Sequence, residues 1–233
     1  MNTAEVMQWL EARGSAAIRN VLKNHGAPES ILGVKIGDMK TLMKLSGKDH
    51  ALALELYRTG VSDAQYYAGL IADPKKMDGK ELRYWGEHAS WHMISDYSVA
   101  WNAAESAAGQ ECALEWIGTG SELLLSAGWC TLAYRTQLNV PIDKNLYLQL
   151  IERVRNTLQH APNRARYSMN SFLITAGASD PAFTEACKDA AAAIGKVEVN
   201  LGKTSCEVPE AIAYIDKAIA KGSYTKKKKT VKC

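Results

Sequence analysis

Long apolar runs, phenylalanine and proline are scarce in this chain of 233 residues, and each scarcity narrows the range of folds. Two Phe and six Pro stand against six Trp and ten Tyr, so most aromatic side chains carry a polar tip. The longest apolar stretch, residues 123–134, contains Ser126 and Gly128 and is shorter than the ~20 residues of a membrane-spanning helix. Runs of β-branched residues are rare whereas alanine is clustered, which favours helices over sheets. Because the apolar stretch is short, no membrane partner is predicted.

Cysteine pairs and an export signal are also missing. The five Cys form no CxxC pair, and the first residues contain no basic segment followed by an apolar core. We therefore expect reduced thiols and a cytoplasmic location. His88 and His92 are four residues apart but lack an HExxH pattern and a third ligand, so no metal site is expected.

Three nucleotide- and ester-handling motifs do not occur in the sequence. The GxxxxGK[ST], GxGxxG and GxSxG patterns are absent, which disfavours P-loop, Rossmann and α/β-hydrolase chemistry. No cofactor is expected.

The periodicity of apolar residues is helical along most of the chain. About a dozen short helices joined by tight turns are predicted, and helix starts two apart are separated by roughly 30–40 residues. This pattern is typical of an all-α solenoid of antiparallel helix pairs of the HEAT or armadillo type. An irregular helical bundle is the alternative. The later helices are predicted at residues 79–90, 94–107, 110–118, 121–138, 143–159, 164–177, 181–194 and 208–220.

The C-terminal end departs from this pattern in two ways. Residues 196–200 alternate in polarity and could pair with residues 229–232 as a small two-stranded ribbon resting on the last helix, which would bring Cys206 and Cys233 together. Residues 1–222 are expected to form one helical-repeat domain, followed by a Lys-rich segment at 223–233.

Positive charge is concentrated in the same end of the chain. The formal net charge is +3, but residues 196–233 carry +5 and residues 1–195 carry −2. The run Lys226, Lys227, Lys228 and Lys229 is either a solvated tail or a contact for phosphates.

Residues 85–101 hold the densest group of chemically useful side chains. Three Trp, two His and Asp96 fall within this segment, and His92 lies one helical turn from Asp96. In one interpretation Asp96 caps a helix and the Trp side chains pack between helices. In the other, Trp91, His92 and Asp96 line a cleft in which a carboxylate stabilises positive charge beside aromatic faces.

Two further basic groups lie outside the tail. Arg164 and Arg166 follow Pro162 at a predicted helix start, where anions are favoured. Lys35, Lys40 and Lys44 form a second basic edge. These residues either belong to solvated faces or follow a nucleic-acid backbone.

Three segments carry a resemblance to a known family. They are 33–42 (GVKIGDMKTL), 90–96 (SWHMISD) and 200–211 (NLGKTSCEVPEA) together with the closing TVKC. The chain resembles the AlkD-like DNA alkylation repair family, which is built from HEAT-like repeats. The resemblance implies a monomer that binds double-stranded, damaged or distorted DNA in a basic groove. It also implies a DNA glycosylase that hydrolyses the N-glycosidic bond of cationic N3- or N7-alkylated purines without a pocket for a flipped base.

The family's active-site residues map unevenly onto this sequence. Asp96 matches the carboxylate and Trp91 the first Trp, whereas the Trp that cradles DNA falls on His92. The second family Trp falls near Ser171. The family arginine falls near 129–131, where Trp129 would line the groove and Arg135 is the nearest candidate. Three functions therefore remain open: a glycosylase, a non-catalytic protein for distorted or branched DNA, and a protein-interaction solenoid.

Overall fold

The structure, a computed structural model, describes residues 1–222 and 227–232. It contains thirteen α-helices within these residues, together with a π-helix at Ile94–Val99 and 3-10 turns at Pro74–Lys76 and Leu158–His160. The α-helices are α1 (Thr3–Arg13), α2 (Ala16–Asn24), α3 (Ile36–Ser46), α4 (His50–Arg58), α5 (Ser62–Ile71), α6 (Gly79–Glu87), α7 (Ala100–Glu105), α8 (Gly109–Trp116), α9 (Glu122–Gln137), α10 (Lys144–Thr157), α11 (Asn163–Ser179), α12 (Thr184–Ile194) and α13 (Ala211–Ala220).

Local capping residues fix several of the helix starts. Asn2 and Asp78 each form a capping box with the Glu three residues later, so that two backbone N–H groups at each helix start are satisfied. Asp143 accepts from two backbone N–H groups at the start of α10. These contacts fix where the helices begin, and the starts of α6 and α10 lie within one residue of the predicted segments 79–90 and 143–159.

Neighbouring helices pack on one another and bury two apolar clusters. The first cluster includes the stacked rings of Tyr57 and Trp85, whose centroids are 4.0 Å apart. The second includes Trp129, Tyr147 and Phe172. Helix α9 contacts α7, α8, α11 and the π-helix, and it therefore joins the two clusters. Within the described residues no helix has both the length and the apolar character needed to cross a membrane.

The predicted C-terminal ribbon is wrong. Neither 196–200 nor 229–232 lies in a strand. Asn200 instead bonds to Asn163, and the tail forms one isolated parallel bridge between Lys228 and Leu138. A two-stranded ribbon alone is marginally stable, and both segments find partners on the helices instead. Cys206 is exposed, whereas Cys233 lies outside the described residues.

The tail lysines contact the C-terminal ends of helices. Lys227 Nζ donates to the carbonyls of Thr136 (2.7 Å) and Ser179 (3.1 Å), at the ends of α9 and α11. Lys232 Nζ donates to the carbonyl of Ala72, just after α5, at 2.7 Å. The last carbonyls of a helix lack intrahelical partners and carry the negative end of its dipole, so they attract cations.

Candidate functional site

The π-helix positions Asp96 in the interior of the molecule. Residues Ile94–Val99 form a wider turn directly after Trp91–Met93, and the Asp96 side chain is buried. Its Oδ1 accepts hydrogen bonds from the Ser95 hydroxyl at 3.1 Å and from the Ser126 hydroxyl of α9 at 2.5 Å. Asp96 is therefore not a helix cap. Single π-turns within helices are frequent at functional sites.

The second oxygen of Asp96 faces a histidine and an arginine. Oδ2 lies 3.8 Å from His92 Nδ1 and 4.0 Å from Arg164 Nη2. Arg164 Nη2 is also 3.0 Å from His92 Nδ1, and His92 Nε2 is 3.0 Å from the carbonyl oxygen of His25. Because a carbonyl oxygen only accepts, Nε2 carries the imidazole proton and Nδ1 accepts from the guanidinium. The geometry therefore requires a neutral His92.

Burial shifts the two titrating groups in opposite directions. Desolvation raises the pKa of Asp96 to about 6, against the lowering effect of the Ser126 hydroxyl and the Arg164 charge. Desolvation and the Arg164 charge lower the pKa of His92 to about 4. At pH 7 the site thus holds an ionised Asp96, a neutral His92 and a cationic Arg164.

A cleft of about 320 Å³ opens in front of this group. Aromatic side chains form part of its wall, and the Arg164 guanidinium lies 5.1 Å from the ring centroid of Tyr167. Residues from α2 and from the segment after α12 complete it. The lining residues include Leu22, His25, Trp91, Tyr97, Leu201 and Cys206. Among the residues with described positions, no group of three or more His, Cys, Asp or Glu could hold a metal ion.

The segment 195–210, which we call the strap, crosses the opening of this region. Asn200 and Asn163 exchange two hydrogen bonds of 2.7 and 2.8 Å, which fix the strap to the start of α11. Lys203 N–H donates to the Asn24 carbonyl at the end of α2 (3.0 Å). Gly202 has φ +83°, and a Cβ there would lie 2.0 Å from the same carbonyl oxygen. The strap therefore connects α11 to α2 at a position that only glycine fits.

The N-terminus of α11 already holds a carboxylate. The backbone N–H of Arg164 donates to Glu122 Oε1 at 2.6 Å. The anion that the sequence predicts at this helix start is therefore supplied by the protein itself. Arg164 points its guanidinium to His92 instead, and Arg166 is half-buried in the same turn.

The other predicted site residues separate into two groups. Lys35, Lys40 and Lys44 lie along the start and body of α3, where their side chains form no hydrogen bond or ion pair with any described residue. Trp129 and Arg135 are buried; Trp129 packs on Phe172 and Arg135 donates to the Ala104 carbonyl. Their placement on a DNA-binding surface is therefore corrected, because α9 is enclosed by neighbouring helices.

The tail lysines are likewise placed away from the cleft. Lys227 bonds to the ends of α9 and α11 and Lys228 to the end of α9, so each ammonium group has protein oxygens as partners. Lys226 lies outside the described residues.

Sequence reasoning missed three parts of the site. Ser126 is a polar residue inside an apolar stretch, and that contrast could have identified it. His25 contributes only a backbone carbonyl, for which no sequence signal exists. Gly202 adopts a positive φ in a polar segment, a conformation that glycine adopts freely.

Comparisons with known proteins agree with this architecture. Residues 6–215 match the family model described as DNA alkylation repair enzyme. Uncharacterized proteins of Listeria innocua and Listeria monocytogenes are 36% and 34% identical over 204 residues, covering 85% of this chain and 88% of each relative.

A solved structure matches along the full length of both chains. It has a TM-score of 0.89 and 35% sequence identity, and it covers 100% of each chain. That protein is described as belonging to a new family of proteins related to the HEAT-like repeat DNA glycosylases, with affinity for branched DNA structures. The predicted all-α, HEAT-like fold is thereby confirmed. With the family match spanning most of its length, this chain belongs to the DNA alkylation repair enzyme family.

Proposed function

We propose that this protein binds branched DNA and does not excise a base. The affinity described for the structural relative, which matches the whole chain, supports the choice of DNA structure. Lys35 and Lys44 support a polyanionic partner, because both side chains are exposed, lack a partner among the described residues and could neutralise phosphates.

The enclosure of Asp96 carries the proposal. A carboxylate stabilises a developing cation best when no other group compensates its charge. Here Oδ1 accepts from Ser95 and Ser126, and Oδ2 lies beside the Arg164 guanidinium. Leu201 and Cys206 of the strap line the same cleft. The strap therefore narrows the cleft through which a sugar of duplex DNA would approach this carboxylate.

Binding and excision are tested in parallel. A four-way junction and a duplex of equal length are titrated over a range of salt concentrations, and a methylated duplex is assayed for release of 7-methylguanine. We expect tighter binding to the junction, a steep loss of affinity with salt, and no release. Equal affinity for both DNAs would contradict the preference for branched DNA. An affinity that does not change with salt concentration would favour a protein-interaction solenoid.

A glycosylase is the second candidate, and the ionised state of Asp96 at neutral pH favours it. Beside Trp91 and Tyr97, the carboxylate would stabilise an oxocarbenium-like sugar. The C1′–N bond would break with its electron pair leaving on the cationic base, and water would add to C1′ and lose a proton to solvent. Under this mechanism Asp96→Asn abolishes base release while DNA affinity stays equal or rises.

A further inference from the structure

One lysine near the end of the tail is docked between α5 and α7. Lys232 is half-buried, and its Nζ donates to the Ala72 carbonyl, just after α5, and to Asn102 Oδ1 in α7, each at 2.7 Å. Burial lowers the pKa of this ammonium to about 8, although the Glu105 carboxylate nearby acts in the opposite direction. Lys232 therefore still carries a positive charge at pH 7, and both of its hydrogen-bond partners are neutral oxygens.

The two residues before Lys232 attach the tail to the same part of the molecule. Glu105 Oε1, at the end of α7, accepts from the Thr230 hydroxyl at 2.6 Å and from the Val231 backbone N–H at 2.8 Å. The Val231 side chain packs against the first apolar cluster. These contacts fix the backbone beside Lys232, so its ammonium meets Asn102 at a defined position.

Asn102 is fully buried and connects the tail to the π-helix. Its Nδ2 donates to the Ser98 carbonyl, within the π-helix, at 2.8 Å and to the Gly69 carbonyl, in α5, at 3.0 Å. Both amide hydrogens are therefore used, and Oδ1 accepts from the Lys232 ammonium. The opposite orientation of the amide would turn its NH2 group toward the ammonium and its oxygen toward two carbonyls. The observed orientation is the one that satisfies every member of the network.

This network acts on the segment that carries Asp96. Ser98 follows Asp96 by two residues in the same π-helix. A π-turn is rare in proteins, and an unfavourable backbone conformation persists where the surrounding structure supports it. Without the Lys232 ammonium, Asn102 Oδ1 would be a buried acceptor with no donor, which is unfavourable. The Asn102 side chain would then turn toward water and release the Ser98 carbonyl.

We propose that Lys232 is a positioning residue for the Asp96 site. Lys232 is not among the residues that line the cleft, so it acts through other groups. Its ammonium fixes the Asn102 amide, and this amide supports the π-helix at Ser98. The π-helix in turn presents the Asp96 carboxylate inside the molecule. This inference goes beyond the proposed function, because it holds whether the protein only binds branched DNA or also excises a base.

The test uses Lys232→Met, which keeps an unbranched side chain of similar length and removes the ammonium. Hydrogen exchange of residues 94–99 is measured by mass spectrometry. The pKa of Asp96 is measured by carbon-13 NMR of its carboxyl group, which Asp96→Asn assigns. We expect exchange of 94–99 to become about tenfold faster, because the turn loses its support.

We also expect the pKa of Asp96 to fall in Lys232→Met. Burial is the largest cause that raises this pKa to about 6, and a loosened turn admits water to the carboxylate. The fall should be about one unit toward the ordinary value. Loss of a positive charge by itself would raise the pKa of an acid, so the sign of the shift separates positioning from a charge effect.

Lys227→Met is the matched control within the tail. The Lys227 ammonium also donates to two protein oxygens, the carbonyls of Thr136 and Ser179 at the ends of α9 and α11. Neither carbonyl belongs to the π-helix or to α7. This variant should therefore keep the parent values for the exchange of 94–99 and for the pKa of Asp96. Circular dichroism confirms that both variants are folded.

Four results would overturn the proposal. The first is parent values of both quantities in Lys232→Met, and the second is a raised pKa of Asp96. The third is faster exchange without a fall in this pKa, because Asp96 would then keep its place. The fourth is an equal effect of the two variants, because the tail would then stabilise the whole fold rather than the π-helix. The proposed function is tested separately by junction binding, so either conclusion can fail without the other.

Discussion

Two lysine-rich regions of this protein use the same positive charge in opposite ways. At α3, Lys35 and Lys44 are exposed and Lys40 is half-buried, and none of the three ammonium groups meets an acceptor among the described residues. In the C-terminal tail, Lys227 and Lys232 donate to carbonyls at the ends of helices. The tail has the higher charge density in the sequence, yet Lys227, Lys228 and Lys232 are paired within the protein, and among the described tail lysines Lys229 has no such partner. What identifies a surface for an anionic partner is thus the absence of internal partners rather than the number of charges.

The largest expected effect comes from removing the α3 charges. The triple variant Lys35→Gln, Lys40→Gln, Lys44→Gln should weaken junction binding about 100-fold near physiological salt and reduce the slope of log K against log salt by roughly 3. The free energy of unfolding should change by less than about 0.5 kcal/mol, because the three ammonium groups form no hydrogen bond or ion pair with the described residues. Fluorescence anisotropy at several salt concentrations measures both binding quantities. An unchanged slope would remove α3 from the interface.

The next largest effect is expected in the pH dependence of the free energy of unfolding, to which Asp96 and His92 contribute. The raised pKa of Asp96 makes the folded state bind a proton more tightly than the unfolded state, so stability falls as pH rises from 4 to 6. The lowered pKa of His92 has the opposite sign, so stability rises between pH 4 and 6.5. In the parent protein the two contributions largely cancel.

Single variants should separate the two contributions. Asp96→Asn leaves the His92 contribution, and its unfolding free energy should rise by about 2–3 kcal/mol relative to the parent as pH goes from 4 to 6.5. His92→Gln should show a fall of similar size between pH 4 and 6. Urea unfolding at several pH values measures the differences. Parallel curves for all three proteins would show that these groups titrate normally.

Two glycines of the strap, Gly202 and Gly195, allow a third comparison, which concerns the contact between the strap and α2. Gly202→Ala places a Cβ against the Asn24 carbonyl, whereas Gly195→Ala has a similar positive φ and no atom nearby. Both variants carry backbone strain of about 1 kcal/mol, and the clash should make Gly202→Ala less stable by a further ~1–2 kcal/mol. The free energies of unfolding of the two variants are compared by urea unfolding. Equal losses would mean that the contact between the strap and α2 contributes nothing to stability.

The smallest effect is expected for the tail. Lys227→Gln with Lys228→Gln should lower the free energy of unfolding by about 1 kcal/mol, because two helix ends lose a cation. Junction affinity should stay within about twofold, since both ammonium groups already donate to protein oxygens at helix ends. A loss of junction affinity as large as that of the α3 variant would show that the tail contributes to DNA binding as much as α3 does.

The sequence predicted the positions of the helices better than it predicted which of their faces are buried. The all-α fold followed from periodicity, whereas the residues of segment 85–101 left Asp96 open between a helix cap and a cleft-lining carboxylate, and the structure buries its side chain. Trp129 and Arg135 were misplaced because α9 is buried on several sides and has no polar face from which its orientation could be read. The π-helix could not be predicted, since it depends on how 94–99 packs on α5 and α9.

Long-range contacts account for the remaining differences. The alternation of 196–200 is that of a strand, but Asn163, far away in sequence, provides its hydrogen bonds. The tail lysines meet helix ends that are distant in the chain. Charge patterns in a sequence cannot tell whether such partners exist.

The most direct test of this account is the acetylation rate of each lysine, measured by mass spectrometry with and without a four-way junction. We predict that Lys35, Lys40 and Lys44 react readily in the free protein and are protected by the junction. Lys227 and Lys232 should react slowly in both states. Protection confined to the tail, with α3 unaffected, would contradict the account.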